Sequence, residues 1–261
     1  MKKLVIFCCL ALLCACARQP VLETTPENRV ALEQRWQKFA TIGAVEKADP
    51  YRLQMSLRFG TEGDTRRVTA LFWGNSQRQL RLDVMAGVGT TVAKILEDGQ
   101  HFLVYSPSEN KAYFYQGATK PLLQVGVPVP FNLVHLADLL NGRYAAVFGK
   151  QFGKTAFSAD GKAVYDLEGQ PGGRLTLNEQ GLPVAWQEQP NGKGWSMEIQ
   201  YSDDAVPLPR RLNLAHSNGK RAIVLIKERE KPSQPFTKEQ MALPLPEDAP
   251  LLPLAKFKQQ Q

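Results

Sequence analysis

The segment YRLQMSLRF, residues 51–59, decides the fold class of this chain. Every second position in it is apolar: Tyr51, Leu53, Met55, Leu57 and Phe59. Because successive side chains of a β-strand point to opposite faces of a sheet, this period of two predicts a strand with one buried and one solvated face. The pattern recurs along most of the chain, so we expect a mainly β protein.

About a dozen short segments of this kind, Tyr144–Phe148 among them, lie between residues 51 and 227. Turn signals such as Asp98-Gly99, Asn191-Gly192 and Asn218-Gly219 separate them. Tight turns between successive strands predict one antiparallel meander. A single sheet of that length has to curl, so we expect an incomplete antiparallel β-barrel of about 10–12 strands around an apolar cavity.

Two helices are expected to cover the apolar inner face as a lid. The first begins at Thr25 and carries Leu32, Trp36 and Phe39 on one side, at helical spacing. The second covers 133–140, where apolar residues dominate between a proline-rich segment and Asn-Gly. Alternation on the strands adds inward side chains, and the residues that we expect to line the cavity are Trp36, Leu57, Phe59, Leu82 and Phe102.

The N-terminus has the layout of a bacterial lipoprotein signal. Lys2 and Lys3 precede an apolar stretch that ends in Ala15, and Cys16 follows this small residue. We expect residues 1–15 to be a signal peptide, acylated Cys16 (palmitate among its chains) to be the lipid anchor, and 16–24 to be a tether. The alternative is that Cys16 is an ordinary residue of a secretory signal. All four cysteines lie in the first 16 residues, which excludes disulfides and cysteine metal sites from the body.

Composition narrows the classes of partner. Loss of Lys2 and Lys3 with the signal would leave 30 basic and 25 acidic residues, a net charge of +5 that is dispersed along the chain. No basic arm with interleaved aromatic residues is present, so we expect no nucleic-acid partner. The segment 231–261 contains six prolines and several leucines, and it is either an extended strap on the body or a disordered linker.

The sequence carries no motif for catalysis. His101, His135 and His216 lie on different elements without metal-ligand spacing, and no G-x-S-x-G or H-E-x-x-H motif occurs. We therefore expect no enzyme, no metal site and no cofactor.

An ordered set of short motifs resembles the LolB family of outer-membrane lipoprotein receptors. The motifs are Trp36 with Ile42-Gly43, Ala70-Leu71-Phe72-Trp73, Leu80-Arg81-Leu82 leading into Gly87-Val88-Gly89-Thr90-Thr91, and Val127-Pro128-Val129-Pro130. The similarity covers about residues 32–230, within an expected domain of 25–230. Members of this family, like the soluble periplasmic carrier LolA, are implied to share an incomplete antiparallel barrel with a helical lid over an apolar cavity.

The resemblance implies a function and its partners. The protein would accept acylated lipoproteins from a LolA-like periplasmic carrier, hold their acyl chains and release them into outer-membrane phospholipid. In that family a loop between strands delivers the cargo to the membrane, and by position it falls on Gly87, Val88 and Gly89. The alternative is a glycine turn with an incidental valine. The helix at 133–140 lacks a tryptophan expected near its end, and the proline-rich tail is longer than is usual in the family.

Location and assembly follow from the same resemblance. Ala17, the residue after the cysteine, favours the outer membrane, so we expect a monomer that faces the periplasm and is anchored through Cys16. A second hypothesis is a lipoprotein of the same half-barrel type that binds or senses another apolar ligand, such as a phospholipid or glycolipid. A third is a structural envelope lipoprotein whose interior is a filled core.

Overall fold

The computed structural model describes residues 25–43, 49–75, 79–87, 89–98, 100–116, 121–125, 127 and 129–257. Within these ranges the chain forms fourteen strands: β1 (Pro50–Thr61), β2 (Asp64–Asn75), β3 (Leu80–Ala86), β4 (Thr90–Glu97), β5 (His101–Ser106), β6 (Lys111–Gln116), β7 (Phe152–Phe157), β8 (Ala163–Leu167), β9 (Gly173–Leu177), β10 (Pro183–Gln187), β11 (Trp195–Tyr201), β12 (Pro209–His216), β13 (Arg221–Glu230) and β14 (Leu251–Pro253). The same ranges contain five α-helices: α1 (Pro26–Thr41), α2 (Pro121–Gln124), α3 (Leu133–Leu140), α4 (Tyr144–Phe148) and α5 (Lys238–Met241). A 3₁₀ turn, Leu254–Lys256, follows β14.

One sheet contains all of these strands. Its order is β14-β6-β5-β4-β3-β2-β1-β13-β12-β11-β10-β9-β8-β7. Neighbours are antiparallel except β14 and β6, which are parallel. Among the described residues no pairing joins β14 to β7, so the sheet is not closed. This confirms the predicted mainly β, incomplete antiparallel barrel, with 14 strands instead of the expected 10–12.

Five elements differ from the prediction, among them the short helices α2 and α5, which were not expected. The predicted strand Tyr144–Phe148 is helix α4, because its buried residues Tyr144, Val147 and Phe148 follow helical spacing (i, i+3, i+4) and two alanines separate them. Strand β7 is not predicted from the sequence because its exposed and half-buried residues do not alternate. Strand β14 is not predicted because it contains Pro253, which is tolerated at a sheet edge where no ladder donor is needed.

The pairing of β1 with β13 joins two meanders, β1–β6 and β7–β13, into the single sheet. Leu57 lies opposite Val68 of β2 on one side and Val224 of β13 on the other. Since paired residues share a face, these side chains define the inner face of the sheet, which carries the main hydrophobic core. The opposite side, with Arg58 and Arg67, is the outer face.

Helices cover part of the inner face. Helix α1 has Thr25 at its N-cap, whose side chain accepts a hydrogen bond from the backbone N–H of Asn28, and it buries Leu32, Trp36 and Phe39. Helix α3 is capped by Asn132 in the same way, through the N–H of His135. None of the helices in the described ranges combines the length and apolar character needed to span a bilayer.

The end of α1 and the turn after α3 approach each other too closely for a side chain. Gly43 has a φ of +68°, and a Cβ at this position would lie 2.1 Å from the carbonyl oxygen of Gly142. Only glycine adopts this backbone conformation without strain and leaves room for the neighbouring carbonyl. The two glycines thereby bring the two parts of the helical cover together.

The proline-rich segment 231–257 contacts the outer face and then the β6 edge. Arg81, on the outer face of β3, donates a hydrogen bond from Nη1 to the carbonyl of Ala242. Met241 and Leu243 are buried outside the main core. The last turn places Leu254 in that core, so the tail contributes to the body of the protein. Residues 1–24, with the predicted signal peptide and tether, and residues 258–261 lie outside the described residues, and the predicted domain boundaries stay predictions.

Candidate functional site

The apolar rows of the inner face run toward one end of the sheet. On β2 this row passes from Phe72 through Ala70 and Val68 to Arg66, because alternate residues share a face. Arg66 lies directly opposite Phe59 of β1, so both belong to the inner face at this end. We call the open recess at this end the mouth; Phe59 and Arg66 are among the residues that line it.

A cavity of about 220 Å³ lies behind the mouth on the inner face. Its walls are predominantly apolar, with contributions from β1–β5, β13, the segment after α2 and the tail. The residues that line it are Leu57, Arg58, Phe59, Val68, Val84, Val92, Ala93, Ile95, Ser106, Ser108, Glu109, Val125, Val127, Val129, Ala222, Ile223, Val224 and Phe257. An interior of this composition favours apolar ligands because burial of apolar surface is the main gain on binding.

The mouth is a wider recess of about 760 Å³ that continues the cavity outward. Five residues border both spaces: Phe59, Val68, Val92, Val125 and Phe257. The other residues that line the mouth are Gly60, Thr61, Asp64, Arg66, Arg67, Ala86, Leu123, Trp195, His216, Asn218 and Lys220. The recess falls in the ~300–1,000 Å³ range of small-molecule sites.

The tail supplies part of the wall between cavity and mouth. The ring of Phe257 packs edge-to-face against Tyr113 of β6, with 5.0 Å between ring centroids. Leu254, three residues earlier, is 3% exposed and anchors this turn in the core. Phe257 is therefore held by buried neighbours where the cavity meets the mouth.

The rim of the mouth is basic. Arg66 and Lys220 line it on the side of the inner face, whereas Asp64 is the one acidic residue among the described residues that line it. Arg67 also borders the recess, but it belongs to the outer face, where its Nε donates to the Ser56 hydroxyl, 3.0 Å away. The mouth thus combines apolar walls with a positively charged rim.

A buried ion pair, Arg143 with Asp138, lies within the helical cover, and neither residue lines the mouth. The Nε of Arg143 donates to Oδ1 of Asp138 at 2.6 Å, and both residues are buried. Burial raises the pKa of the Asp138 carboxyl, an effect that the charge of Arg143 only partly offsets. Burial also lowers the pKa of His135, one turn before Asp138. The buried phenol of Tyr51 has its pKa raised well above the ordinary value, again because of desolvation.

This ion pair holds the cover together and offers no obvious chemistry. Arg143 follows α3 and Asp138 lies within it, so the ion pair ties the α3–α4 corner to its own helix. The described residues contain no group of three His, Cys, Asp or Glu side chains that could hold a metal ion.

The predicted cavity residues fall into two groups. Leu57 and Phe59 line the cavity, and Phe59 also lines the mouth. Leu82 and Phe102 are buried in the core but are not part of the cavity walls. Trp36 is also buried away from the cavity, where it packs against Phe152 and Tyr165 at centroid distances of 4.7 and 4.8 Å. For these three, alternation or helical spacing identified the buried side, but burial alone does not place a residue at the cavity.

The predicted delivery loop follows directly on a mouth residue. Ala86, at the end of β3, lines the mouth, and Gly87 comes next. Gly87 and Gly89 have φ values of +56° and +84°, and a Cβ added to either would meet no other atom within 4 Å. This end of the hairpin is therefore open to solvent. Val88 between the two glycines and the predicted anchor Cys16 lie outside the described residues.

Several lining residues were not anticipated from the sequence. Arg66, His216 and Lys220 come at strand ends and in a turn, where charged residues are common and carry little information. Phe257 lies in a proline-rich tail without periodicity. The alternation could have identified Arg66, because the row of inward residues on β2 continues past Val68 to Arg66.

Among the solved structures that resemble this fold are two from bacteria. A LolA superfamily protein from Nitrosomonas europaea is 14% identical, with a TM-score of 0.54 over 80% of this chain and 98% of that protein. A DUF1329 family protein from Desulfovibrio piger is 8% identical, with a TM-score of 0.55 over 81% of this chain and 97% of its own. No family model matches the sequence, nor does any curated protein. The chain therefore shares its fold with a LolA superfamily protein, and its function has to be argued from its own cavity and mouth.

Proposed function

We propose that this protein binds the acyl chains of a lipid-modified cargo in its inner cavity and passes them on at a membrane surface. The observation that carries the proposal is that the apolar cavity adjoins the open mouth and shares apolar lining residues with it, among them Phe59, Val68 and Val92. Each CH₂ group that moves from water into such an apolar space contributes about 0.8 kcal/mol, so an acyl chain has a strong preference for it.

The leading cargo is an acylated lipoprotein that a LolA-like periplasmic carrier delivers. The motif resemblance to the LolB family supports this choice, and the fold shared with a LolA superfamily protein is consistent with it. In this proposal acylated Cys16 anchors the protein in the outer membrane. The hairpin at 87–89, next to the mouth, brings the cargo to the bilayer.

A second cargo class is a phospholipid or glycolipid, bound or sensed by the same cavity. The basic rim formed by Arg66 and Lys220 favours it, because such lipids often carry an anionic headgroup beside their acyl chains. In both cases the protein acts by binding and release, without a chemical step.

A two-step transfer assay tests the proposal. The full chain is incubated with carrier-bound lipoprotein, uptake is measured by co-purification, and liposomes are then added to measure release into the bilayer. Uptake followed by release supports the proposal. If the protein takes up neither lipoprotein nor extractable lipid, the interior is a filled core and the proposal is wrong.

Lipid extraction separates the two cargo classes. The protein is purified from cells, its bound lipids are extracted, and mass spectrometry identifies them. Phospholipid or glycolipid at a fixed ratio to protein, together with no uptake from the carrier, would replace the leading cargo by the second one.

A further inference from the structure

The apolar rows of three strands end in cations or a histidine at the mouth. On β2 the row Phe72, Ala70, Val68 ends in Arg66, and on β12 the row Leu212, Leu214 ends in His216. Lys220 follows in the turn between β12 and β13, next to the inward row that begins at Ala222. All three side chains line the same recess.

The cations of the rim have no carboxylate partner among the described residues. No ion pair within that part of the chain involves Arg66 or Lys220. The nearby Arg221 does pair with Glu62, 3.7 Å away, on the solvent side of the hairpins. Positive groups concentrated beside low-dielectric walls attract an anion more strongly than dispersed surface charges do. The rim therefore favours a ligand whose anionic group lies at the mouth, beside Arg66 and Lys220.

The chemistry of the two cations, a guanidinium and an ammonium, indicates which class of anion binds there. The planar guanidinium of Arg66 presents several N–H donors that match the oxygens of a phosphate, and the ammonium of Lys220 adds a point charge. Trp195 lines the same recess and packs edge-to-face on His216, with 5.0 Å between ring centroids. An aromatic ring beside cations suits a ligand that is apolar on one side and polar on the other.

We propose that the mouth selects acyl lipids whose phosphate headgroup carries a net negative charge: the acyl chains enter the apolar cavity and the anionic headgroup binds Arg66 and Lys220. This inference rests on the proposed function, because it assumes that acyl chains occupy the cavity. It deepens the second cargo class, phospholipid or glycolipid, by naming the headgroup that the mouth accepts. Phosphatidylglycerol is the simplest probe of that class. Phosphatidylcholine is the matched control, because its choline ammonium cancels the charge of the phosphate and is repelled by the cations of the rim.

Photo-crosslinking tests the assignment. The full chain is mixed with phosphatidylcholine vesicles that contain a small fraction of either phosphatidylglycerol or phosphatidylcholine with the same diazirine-labelled acyl chain. After irradiation, mass spectrometry quantifies the label on cavity peptides that contain Leu57 and Phe59. We expect the phosphatidylglycerol probe to label these peptides at least about tenfold more than the phosphatidylcholine probe, as two charge-assisted contacts should provide.

Variants assign that preference to the rim. In the double variant R66S/K220S, phosphatidylglycerol labelling should fall to the phosphatidylcholine level while phosphatidylcholine labelling stays unchanged. The control K154S removes an exposed cation on edge strand β7 and should change neither. If the double variant does not fold, the ratio of the two probes on the unaltered protein still decides the proposal.

Each remaining outcome has one meaning. Equal labelling by both probes would overturn the headgroup assignment and leave acyl binding intact. No labelling of cavity peptides by either probe would overturn acyl binding itself. Millimolar inorganic phosphate, which lacks acyl chains, should not reduce labelling by the phosphatidylglycerol probe. If inorganic phosphate abolishes this labelling, the rim is a site for free phosphate and the proposal for lipids is wrong.

Discussion

Asn75, the last residue of β2, binds the backbone of Phe236 through both ends of its side-chain amide. Nδ2 donates to the carbonyl oxygen of Phe236 at 2.6 Å, and Oδ1 accepts from its N–H at 2.7 Å. The two residues are 161 positions apart in the chain. This contact fixes the start of the tail on the sheet, and the tail later supplies Phe257 to the cavity wall.

Replacement of Asn75 by alanine should loosen the tail. Each of the two hydrogen bonds contributes about 1 kcal/mol, so amide exchange of residues 234–243 should become about tenfold faster or more. Hydrogen-exchange mass spectrometry measures this. The variant N75D keeps the acceptor for the Phe236 N–H but loses the donor, so it should give an intermediate rate. Exchange that is unchanged in N75A would mean that the prolines and apolar contacts alone hold the tail.

A larger side chain at Ala222 should fill the cavity. This residue lines the cavity on β13 and is 4% exposed, so A222F should obstruct acyl binding and cost about 1–3 kcal/mol of stability through overpacking. Ala215, on the outer face of β12, offers the matched control A215F. Binding of a fluorescent fatty acid should drop only in A222F. Equal binding by both variants would place the acyl site elsewhere.

Removal of the charge of Asp138 should destabilise the helical cover. The variant D138N leaves the guanidinium of Arg143 buried without its counter-ion, which costs about 3–5 kcal/mol in the free energy of unfolding. Urea unfolding followed by tryptophan fluorescence measures it. The apolar double variant D138L/R143M should recover most of the loss. A loss of about 1 kcal/mol or less in D138N would show that the pair behaves like an exposed salt bridge.

His135 should make stability depend on mildly acidic pH. Burial lowers its pKa in the folded protein below the ordinary value of 6.5. As the pH falls through 6.5, the unfolded chain therefore takes up a proton that the folded protein resists, and stability is lost. We expect H135Q to lose less of its unfolding free energy between pH 7.5 and 5.5 than the unaltered protein does. Urea titrations at the two pH values measure these losses. If H135Q and the unaltered protein lose the same unfolding free energy, His135 is not the cause of the pH dependence.

A charge at Val88, in the predicted delivery loop, should block delivery. We expect V88E to take up cargo normally but to release it poorly into liposomes, because insertion of a carboxylate into the membrane interface is costly. The conservative variant V88L keeps an apolar residue at this position and should deliver at least as well as the unaltered protein. Normal delivery by V88E would make this segment an ordinary glycine turn.

The strands and their buried side could be predicted because both follow from local chain geometry. The alternation in 51–59 correctly predicted the inner residues of β1, and the fold class followed from the number and spacing of such segments. Errors arose where the local pattern was weak: Tyr144–Phe148 forms a helix, and β7 and β14 carry no clear alternation. Leu82 and Trp36, which we expected to line the cavity, are buried in the core and do not belong to the cavity walls.

The sequence by itself determined a mainly β chain with one apolar face, because the period of two in a pleated strand is a property of consecutive residues. Only the tertiary structure decided where the cavity lies and what surrounds it. Phe59 lines the mouth together with Arg66, Lys220 and Phe257. The β1–β2 hairpin brings Arg66 there, the pairing of β1 with β13 brings Lys220, and the docked tail brings Phe257. These neighbours depend on strand pairing and on long-range packing, which no local periodicity encodes.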